Sequence, residues 1–410
     1  MKSDLDALMA ARALDALVVA CGGAENAPGH YLSNGAHIKG GIVVKPRGAA
    51  PILFCNPMEI EEAQKSGLTC YTFNDLNYAD VVREVEGDQA RALPVLWARC
   101  LEKAGVSGGT VGIYGLLDAG VALELVRRVT ADHPQYHFQG EIGATVFEVA
   151  YQTKDAAELV RLRSVAARAS AAMRATWDFI AGHIGAEDGR VINDDGQPLT
   201  IGAVKRFVRR ALLDHDLEDT GMIFAQGRDA GFPHSLGDAE TELRTGQAIV
   251  FDLFPREIGG GYHFDSTRTW SLGRASAEVE RAYEEVKEAF EIAVRAYQPG
   301  IEAKALQLAV LDFFESKGHL TARSHPGTTV GYTHSLGHGI GLNIHERPHL
   351  SHLSADRLAP GNVLTIEPGL YYPERGFGVR VEDIFFIDED GALISMTDVP
   401  KTLVVPLRKS

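Results

Sequence analysis

The 410-residue sequence predicts an α+β protein in two parts, and three observations lead there. Residues 1–150 alternate short apolar runs with helical patterns. From about residue 155 the helical patterns come first and most strand-like runs cluster after them. The length itself argues for more than one hydrophobic core, because single cores stop growing at about 250–300 residues.

The first part reads as an alternating α/β domain. Leu5, Leu8 and Met9 form a short amphipathic opening, and Leu17-Val18-Val19-Ala20 follows as a run suited to a buried strand. Ile42-Val43-Val44 and Pro51-Ile52-Leu53-Phe54 read as further strands, separated by a Lys45-Pro46-Arg47-Gly48 turn. Leu93 to Ala104 reads as a helix and Val111-Gly112-Ile113-Tyr114 as another strand. No catalytic constellation is visible here, so shape, association or cover for a site is the expected role.

The boundary is expected between Tyr151 and Asp155, giving domains 1–150 and 151–410. Asp155 with Glu158 three residues later makes a helix cap. Leu159, Leu162, Ala166, Ala169, Met173, Trp177 and Ile180 then recur at spacings of three and four, which predicts a core-facing stripe. A second helix carries Val279, Ala282, Tyr283, Val286, Phe290, Ala293 and Tyr297 and stops at Pro299-Gly300. A third runs from about Ala303 to Ser316. Ala248 to Phe254, Tyr262 to Leu272, Val363 to Glu367 and Gly378 to Ile387 read as strands.

Composition narrows the function. Hydrophobic content of 45% and charged content of 23% suit a globular chain with ample core material. A formal charge of −15 argues against nucleic acid or an anionic membrane as partner. Cys21, Cys55, Cys70 and Cys100 form no C-x-x-C pair, which leaves four buried or half-buried thiols in a reducing compartment. Asp4, Asp6, Arg12 and Asp15 interrupt the N-terminal apolar stretches, so no export signal is expected. No run approaches the ~18 apolar residues of a membrane span, and a cytoplasmic location follows as the expectation.

Chemistry concentrates in the second part. Nine of the fifteen histidines fall between His234 and His352. Asp252 stands inside the apolar run Ile249-Val250-Phe251-Asp252-Leu253-Phe254, and Asp265, Glu367 and Glu382 sit in comparable strand-like sequence. Burying an unpaired carboxylate costs several kcal/mol, so each needs a cation or a set of hydrogen bonds. Each acid alone could be a salt bridge or a loop cap. A pair of divalent ions would satisfy all four at once. Carboxylates with one imidazole suit manganese, cobalt or zinc better than copper. Bridging carboxylates would hold such ions about 3.5–4 Å apart and activate a shared water as hydroxide. Arg380 and Glu382 lie two apart on a predicted strand, so Arg380 is expected on the same side, either orienting a carboxylate or forming an ordinary ion pair.

Four stretches in order carry a resemblance: FDLFPREIGGGYHFDSTRTW, HSLGHGIGLNIHERP, TIEPGLYY and VRVEDIFFI. With them the region from about 155 to 405 resembles the pita-bread metallopeptidases, a group that includes aminopeptidase P, prolidase, methionine aminopeptidase and creatinase. The resemblance implies a pita-bread catalytic domain with Asp252, Asp265, His338, Glu367 and Glu382 as ligands of two divalent ions, manganese first. It implies that Glu367 also accepts a proton from the attacking water. LDALVVACGGAENAPGHYLSNG looks like the N-terminal domain of the creatinase, prolidase and aminopeptidase P branch.

Further roles are implied by the same resemblance. His234, His334 and His345 match substrate or proton-transfer histidines of the proline-specific branch. A prolyl nitrogen carries no hydrogen and leaves as a secondary amine, so a donor must protonate it, and His345 is the candidate. His263, His349 and His352 are left as structural or surface residues. Asp252 and Asp265 are thirteen apart where the family interval is commonly eleven, and the turn from Pro255 to Gly261 could absorb the difference. The implied activity is hydrolysis of Xaa-Pro bonds in dipeptides or at peptide N-termini, in a homodimer. A hydrolase of a small non-peptide amide and a non-catalytic binding module on the same fold are the alternatives.

Overall fold

The computed structural model describes residues 4–23 and 25–409, so Ala24, within the N-terminal stretch quoted above, lies outside the described residues. Two compact units emerge: Met1–Ala150 with Gly259–Gly261, and Tyr151–Ile258 with Tyr262–Ser410.

The first unit is built on a mixed six-stranded sheet. Its strands are β1 (Ala16–Cys21), β2 (Gly41–Pro46), β3 (Ile52–Cys55), β4 (Thr69–Thr72), β5 (Gly109–Gly115) and β6 (Tyr136–Gln139), in spatial order β4-β3-β2-β1-β5-β6. The central β1 runs antiparallel to β2 and parallel to β5. Residues Ala16 to Ala20 are buried, as a strand covered on both faces requires. Helices α1 (Leu5–Ala11), α2 (Gln89–Lys103) and α3 (Ala119–Asp132) accompany the sheet. Trp97 and Leu101 of α2 and Leu125 and Val129 of α3 pack with Val18, Val44 and Val111 in one core. Cys55 and Cys100 are buried, Cys21 and Cys70 partly so, and all four are free thiols. Burial pushes the Cys21 thiol up to about 12 and Cys55 up to about 11, which keeps them protonated and inert.

The second unit opens with α4 (Ala156–Ala181), whose capping box joins Asp155 and Glu158 reciprocally. Leu162, Ala166, Ala169, Met173 and Ile180 are buried as the stripe demands, while Leu159 and Trp177 are half-buried. After α5 (Ile201–Asp214) come β7 (Met222–Gln226), β8 (Ala248–Leu253) and β9 (Ser266–Leu272), then α6 (Ala277–Ala296) and α7 (Ala303–Ser316). Beyond several two-residue strands, there follow β10 (Gly337–Gly339), β11 (Glu346–Leu350), β12 (Val363–Ile366), β13 (Gly369–Tyr372), β14 (Phe377–Arg380), β15 (Asp383–Ile387), β16 (Leu393–Ser395) and β17 (Val404–Val405). They form a four-stranded sheet β7-β8-β9-β17, a five-stranded sheet β11-β10-β12-β15-β16 and the hairpin β13-β14.

Alternation decides which way the strands point. Leu364 and Ile366 of β12 and Phe385 and Ile387 of β15 join Val286, Phe290, Val310 and Phe314 of α6 and α7 in the main core. Thr365 therefore faces the opposite side of its strand. In the other sheet Phe251 and Trp270 pack at tilted to edge-on angles with Phe224, and Trp177 of α4 meets Trp270 edge-on. Asp252, next to Phe251, is turned away from that aromatic layer. Among the described residues no helix is long and apolar enough to cross a membrane.

Two strand predictions need correction. The run Tyr262 to Leu272 is a strand only from Ser266 onward, and Gly378 to Ile387 is two strands separated at Val381-Glu382. In both places the apolar pattern continues, but the backbone leaves the ladder where an acid must be aimed. The thirteen-residue interval is also more than a hairpin tip. Arg256-Glu257 pairs with Leu217-Glu218, and Gly259, Gly260 and Gly261 all take positive φ, which a β-carbon would oppose.

Candidate metal centre

Four carboxylates and an imidazole converge in the second unit from separate elements. Asp252 comes from within β8, Asp265 from the residue before β9 and His338 from the middle of β10. Glu367 follows β12 and Glu382 precedes β15. The β12–β15 register pairs Ile366 with Asp383, so one further step puts Glu367 opposite Glu382. Likewise Asp252 lies opposite Thr267, on one face of the sheet.

Ligand atoms of Asp265, His338 and Glu382 all lie within 4.8 Å of one another. His338 Nε2 is 3.6 Å from Asp265 Oδ2 and 3.5 Å from Glu367 Oε1. The other ring nitrogen, Nδ1, faces the Gly339 carbonyl at 3.0 Å. A carbonyl only accepts, so the proton sits on Nδ1 and the Nε2 lone pair points at the carboxylates. The glycines around His338 make this strand possible. A β-carbon at Gly337 would collide with the Thr365 carbonyl, and one at Gly339 with the Arg347 carbonyl. Both neighbouring strands thus press on β10.

Hydrogen bonds orient the acids but leave them short of partners. Arg380 Nη2 donates to Asp252 Oδ2 at 2.6 Å, and its Nε to Thr267 Oγ1 at 2.8 Å. Thr267 Oγ1 in turn donates to Glu382 Oε2 at 2.7 Å. Arg380 therefore reaches Glu382 through Thr267. The two-apart argument for a shared face does not hold, because β14 ends at Arg380 and Glu382 lies in the gap before β15. Buried Arg268 secures that gap, with Nη1 donating to the Glu382 carbonyl at 2.7 Å and Nη2 to Asp383 Oδ1 at 2.7 Å.

Asp252 Oδ1 and Asp265 Oδ1 are buried with no hydrogen-bond partner. Two buried carboxylate oxygens without partners are what a bound cation would satisfy. Electrostatics agree. Burial and the neighbouring carboxylates of Glu382, Asp252 and Glu367 hold Asp265 well above the usual carboxylate range. Burial, with Glu367 and Asp252, does the same to Glu382. Glu367 is raised to about 7 by burial, with Asp252 adding to it against the lowering pull of Arg380. His338 is lowered to about 3 by burial and by His345, which keeps its ring neutral and fit to ligate. The donor set fits two divalent ions in number, type and charge.

The three remaining histidines differ. His234 and His345 are exposed at the surface of the unit, and the His345 ring meets His338 edge-on with centroids 4.4 Å apart. His234 follows Pro233, whose carbonyl accepts from Arg380 Nη1 at 3.3 Å. His334 is engaged at both nitrogens: Nδ1 donates to the Ser335 carbonyl at 2.7 Å, and Nε2 accepts from Tyr371 Oη at 2.9 Å. Burial and the Arg380 charge lower it to about 3, so it stays neutral.

Tyr371 is the residue that sequence reasoning missed. Its hydroxyl also accepts from Arg380 Nη1 at 3.0 Å, linking His334 to the arginine that holds Asp252. The β13–β14 hairpin brings it there. Gly369 pairs with Arg380 and Tyr371 with Gly378, so Tyr371 is the diagonal neighbour of Arg380.

Comparison with known proteins bears on the family and the fold. The family model for metallopeptidase family M24 matches residues 160–389, which hold all of the residues above. A probable dipeptidase PepE of Mycobacterium tuberculosis is 36% identical over 184 residues, 45% of this chain and 46% of that protein. An Xaa-Pro dipeptidase of Pyrococcus furiosus is 36% identical over 170 residues, 42% of this chain and 45% of that protein. The match thus spans about half the length of these curated relatives. The crystal structure of the prolidase from Pyrococcus horikoshii superimposes with a TM-score of 0.73 at 23% identity, covering 98% of each chain. The pita-bread architecture implied by the four motifs is therefore the one adopted. On the family match and the fold together, the chain belongs to metallopeptidase family M24.

Proposed function

We propose that this protein is a dinuclear metallopeptidase that hydrolyses the bond before proline, in Xaa-Pro dipeptides or at the N-terminus of longer peptides. The observation that carries the reading is the pair of orphaned oxygens, Asp252 Oδ1 and Asp265 Oδ1, together with the ligand atoms of Asp265, His338 and Glu382 lying within 4.8 Å of one another. Asp252, Asp265, His338, Glu367 and Glu382 would hold the two ions, with manganese preferred over cobalt or zinc for this oxygen-rich set. When bound, the ions would polarise the scissile carbonyl and lower the pKa of water.

The chain's own groups supply the rest. Glu367, half-buried beside His338, takes the proton of the attacking water. Arg380 keeps Asp252 turned toward the centre through Oδ2 while Oδ1 stays free. His345, exposed and stacked edge-on against His338, donates the proton that the departing prolyl nitrogen needs. His334, pinned by Tyr371, offers a fixed neutral surface to the substrate, and His234 would be a further substrate contact. The Pyrococcus furiosus relative named Xaa-Pro dipeptidase supports proline as the preferred residue. A cytoplasmic homodimer is part of the same reading, on the four free thiols and the family resemblance.

The test is direct. Purified, manganese-loaded protein is incubated with Xaa-Pro dipeptides and Xaa-Pro-Xaa tripeptides, and released amino acids are quantified. Release from dipeptides alone assigns a dipeptidase, and release from both an aminopeptidase. No release from either sinks the proposal.

A further inference from the structure

We infer that the buried ion pair Lys154–Glu346 is a positioning device for His345, setting the loop that brings this histidine to the scissile bond; the inference rests on the acid role proposed above for His345. The two side chains are 192 positions apart in the chain and each is 2% exposed. Lys154 Nζ donates to Glu346 Oε2 at 2.7 Å.

Lys154 is fixed from behind. Its backbone N–H donates to the Gly361 carbonyl at 2.8 Å, and Gly361 N–H donates to the Ile387 carbonyl at 2.8 Å. Two residues earlier, the Gln152 carbonyl accepts from Asn362 Nδ2 at 2.8 Å. The lysine therefore reaches forward from a backbone tied to the end of β15.

Glu346 stands at the other end of that reach. It opens β11 and pairs with Gly339 of β10, so residues 340–345 form the loop joining the His338 strand to β11. Its second oxygen, Oε1, accepts from Asn343 N–H at 2.9 Å, inside that loop. One carboxylate thus pins the loop's middle and its end, and Nζ pins the carboxylate. The loop backbone lies directly on the pair. A β-carbon at Gly341 would come within 2.6 Å of Glu346 Oε2 and 2.8 Å of Lys154 Cε. His345 immediately precedes Glu346 and is itself exposed, so its place depends on the backbone beneath it together with the edge-on contact to His338.

Stability alone does not account for such a pair. Apolar residues of similar volume often do as well as a buried ion pair, whereas removing one partner costs several kcal/mol. What the charged pair adds is direction, because Nζ, both carboxylate oxygens and the Asn343 N–H have one mutually satisfied arrangement. An offset of about 1 Å in a proton donor is enough to cost about a hundredfold in rate.

The test uses the manganese-loaded full chain and a pair of substrates. One is an Xaa-Pro dipeptide. The other is its depsipeptide analogue, in which a 2-hydroxy acid replaces proline and the ester leaving group needs far less protonation. His345→Ala sets the reference and is expected to lower kcat on the peptide about a hundredfold while lowering it less than about threefold on the ester. Lys154→Met is expected to show the same selectivity, with a peptide kcat about tenfold lower, an ester kcat within about threefold and KM unchanged. Lys154→Arg should return peptide kcat to within about threefold. Should Lys154→Met fail to fold, Glu346→Gln keeps the shape and gives the same readout.

Equal loss on both substrates, or no loss on either, overturns the inference while a peptide-selective His345→Ala leaves the reading beneath it standing. A His345→Ala enzyme without that selectivity removes the acid role and the inference together. A wild-type enzyme that cleaves neither substrate fails the proposed function itself.

Discussion

Substituting Glu367 by glutamine should stabilise the protein when its metal has been removed and destabilise it when the metal is present. The reasoning starts from the raised carboxyl of Glu367, at about 7 against an ordinary 4.5. A group whose folded pKa is raised binds its proton more tightly in the native state than in the unfolded one. Its stabilising contribution is complete below 4.5 and is lost as pH rises toward 7. At 1.36 kcal/mol per pH unit, the raised Glu367 carboxyl leaves the metal-free fold about 3 kcal/mol less stable at pH 8, and about 1 kcal/mol less stable at pH 5, than it is below both pKa values.

Glutamine carries no such cost, so the variant-minus-wild-type difference should grow by about 2–3 kcal/mol from pH 5 to pH 8. Working with this difference matters. His263 and His334, lowered by burial to about 4 and about 3, make the whole protein gain stability as pH rises to about 6.5, which would mask a single carboxylate. They are common to both proteins and cancel. For a domain of this size the effect amounts to about 5–10 °C in Tm. Scanning calorimetry in chelator at pH 5, 6, 7 and 8, repeated with manganese, reads it. A difference that does not vary with pH in chelator, or a variant destabilised equally with and without manganese, would refute the argument.

Three further outcomes follow from the same site. Arg380→Met strips Asp252 Oδ2 of its 2.6 Å donor and should weaken manganese binding about 10–100-fold by titration calorimetry; unchanged affinity would mean the arginine does not orient that acid. Because Asp265 and Glu382 are held well above the usual carboxylate range and Glu367 at about 7, metal binding at pH 6.5 should release at least about one proton, and affinity should rise with pH. Binding heats that are the same in buffers of different ionisation enthalpy would contradict this. Gly339→Ala drives a β-carbon into the Arg347 carbonyl, where no flexible side chain can give way, and should cost about 2–4 kcal/mol in chemical denaturation; a wild-type midpoint would show that β10 is less tightly sandwiched than it looks.

The helices were legible because their signals are local. Asp155 and Glu158 form the box their spacing promises, and Ala303 to Ser316 is a helix over that span. The acids were legible as anomalies, polar residues in apolar sequence, but their placement was not. Only Asp252 lies inside a strand. Asp265, Glu367 and Glu382 each stand one residue beyond the end of one. Hydrophobic alternation cannot reveal this, because Phe264, Ile366 and Val381 are as buried as strand residues and keep the pattern running across the break. What ends each strand is tertiary. Arg268 takes the Glu382 carbonyl that a ladder partner would otherwise use, and Ser266 Oγ donates to the same carbonyl at 2.7 Å. Tyr371 was invisible for a similar reason, since its partners His334 and Arg380 are distant in sequence or across a turn.

Those breaks explain how an apolar scaffold presents four acids to one point. A strand sends alternate side chains to opposite faces, so a continuous strand could offer the centre only residues two apart at about 6.6 Å along its axis. Ending β12 and starting β15 at the same level instead places Glu367 and Glu382 as an unpaired step of their ladder, opposite each other and free to rotate inward. Asp265 enters from the foot of β9 in the same way. The backbone groups released by each break are then taken up by the chain: Glu367 N–H donates to the Leu336 carbonyl at 2.8 Å and Glu382 N–H to the Thr267 carbonyl at 3.1 Å. The acceptors sit two residues before His338 and two residues after Asp265. Each carboxylate is therefore tied through its own backbone to the segment carrying another member of the site, so a shift of one strand end moves two members together rather than pulling the set apart.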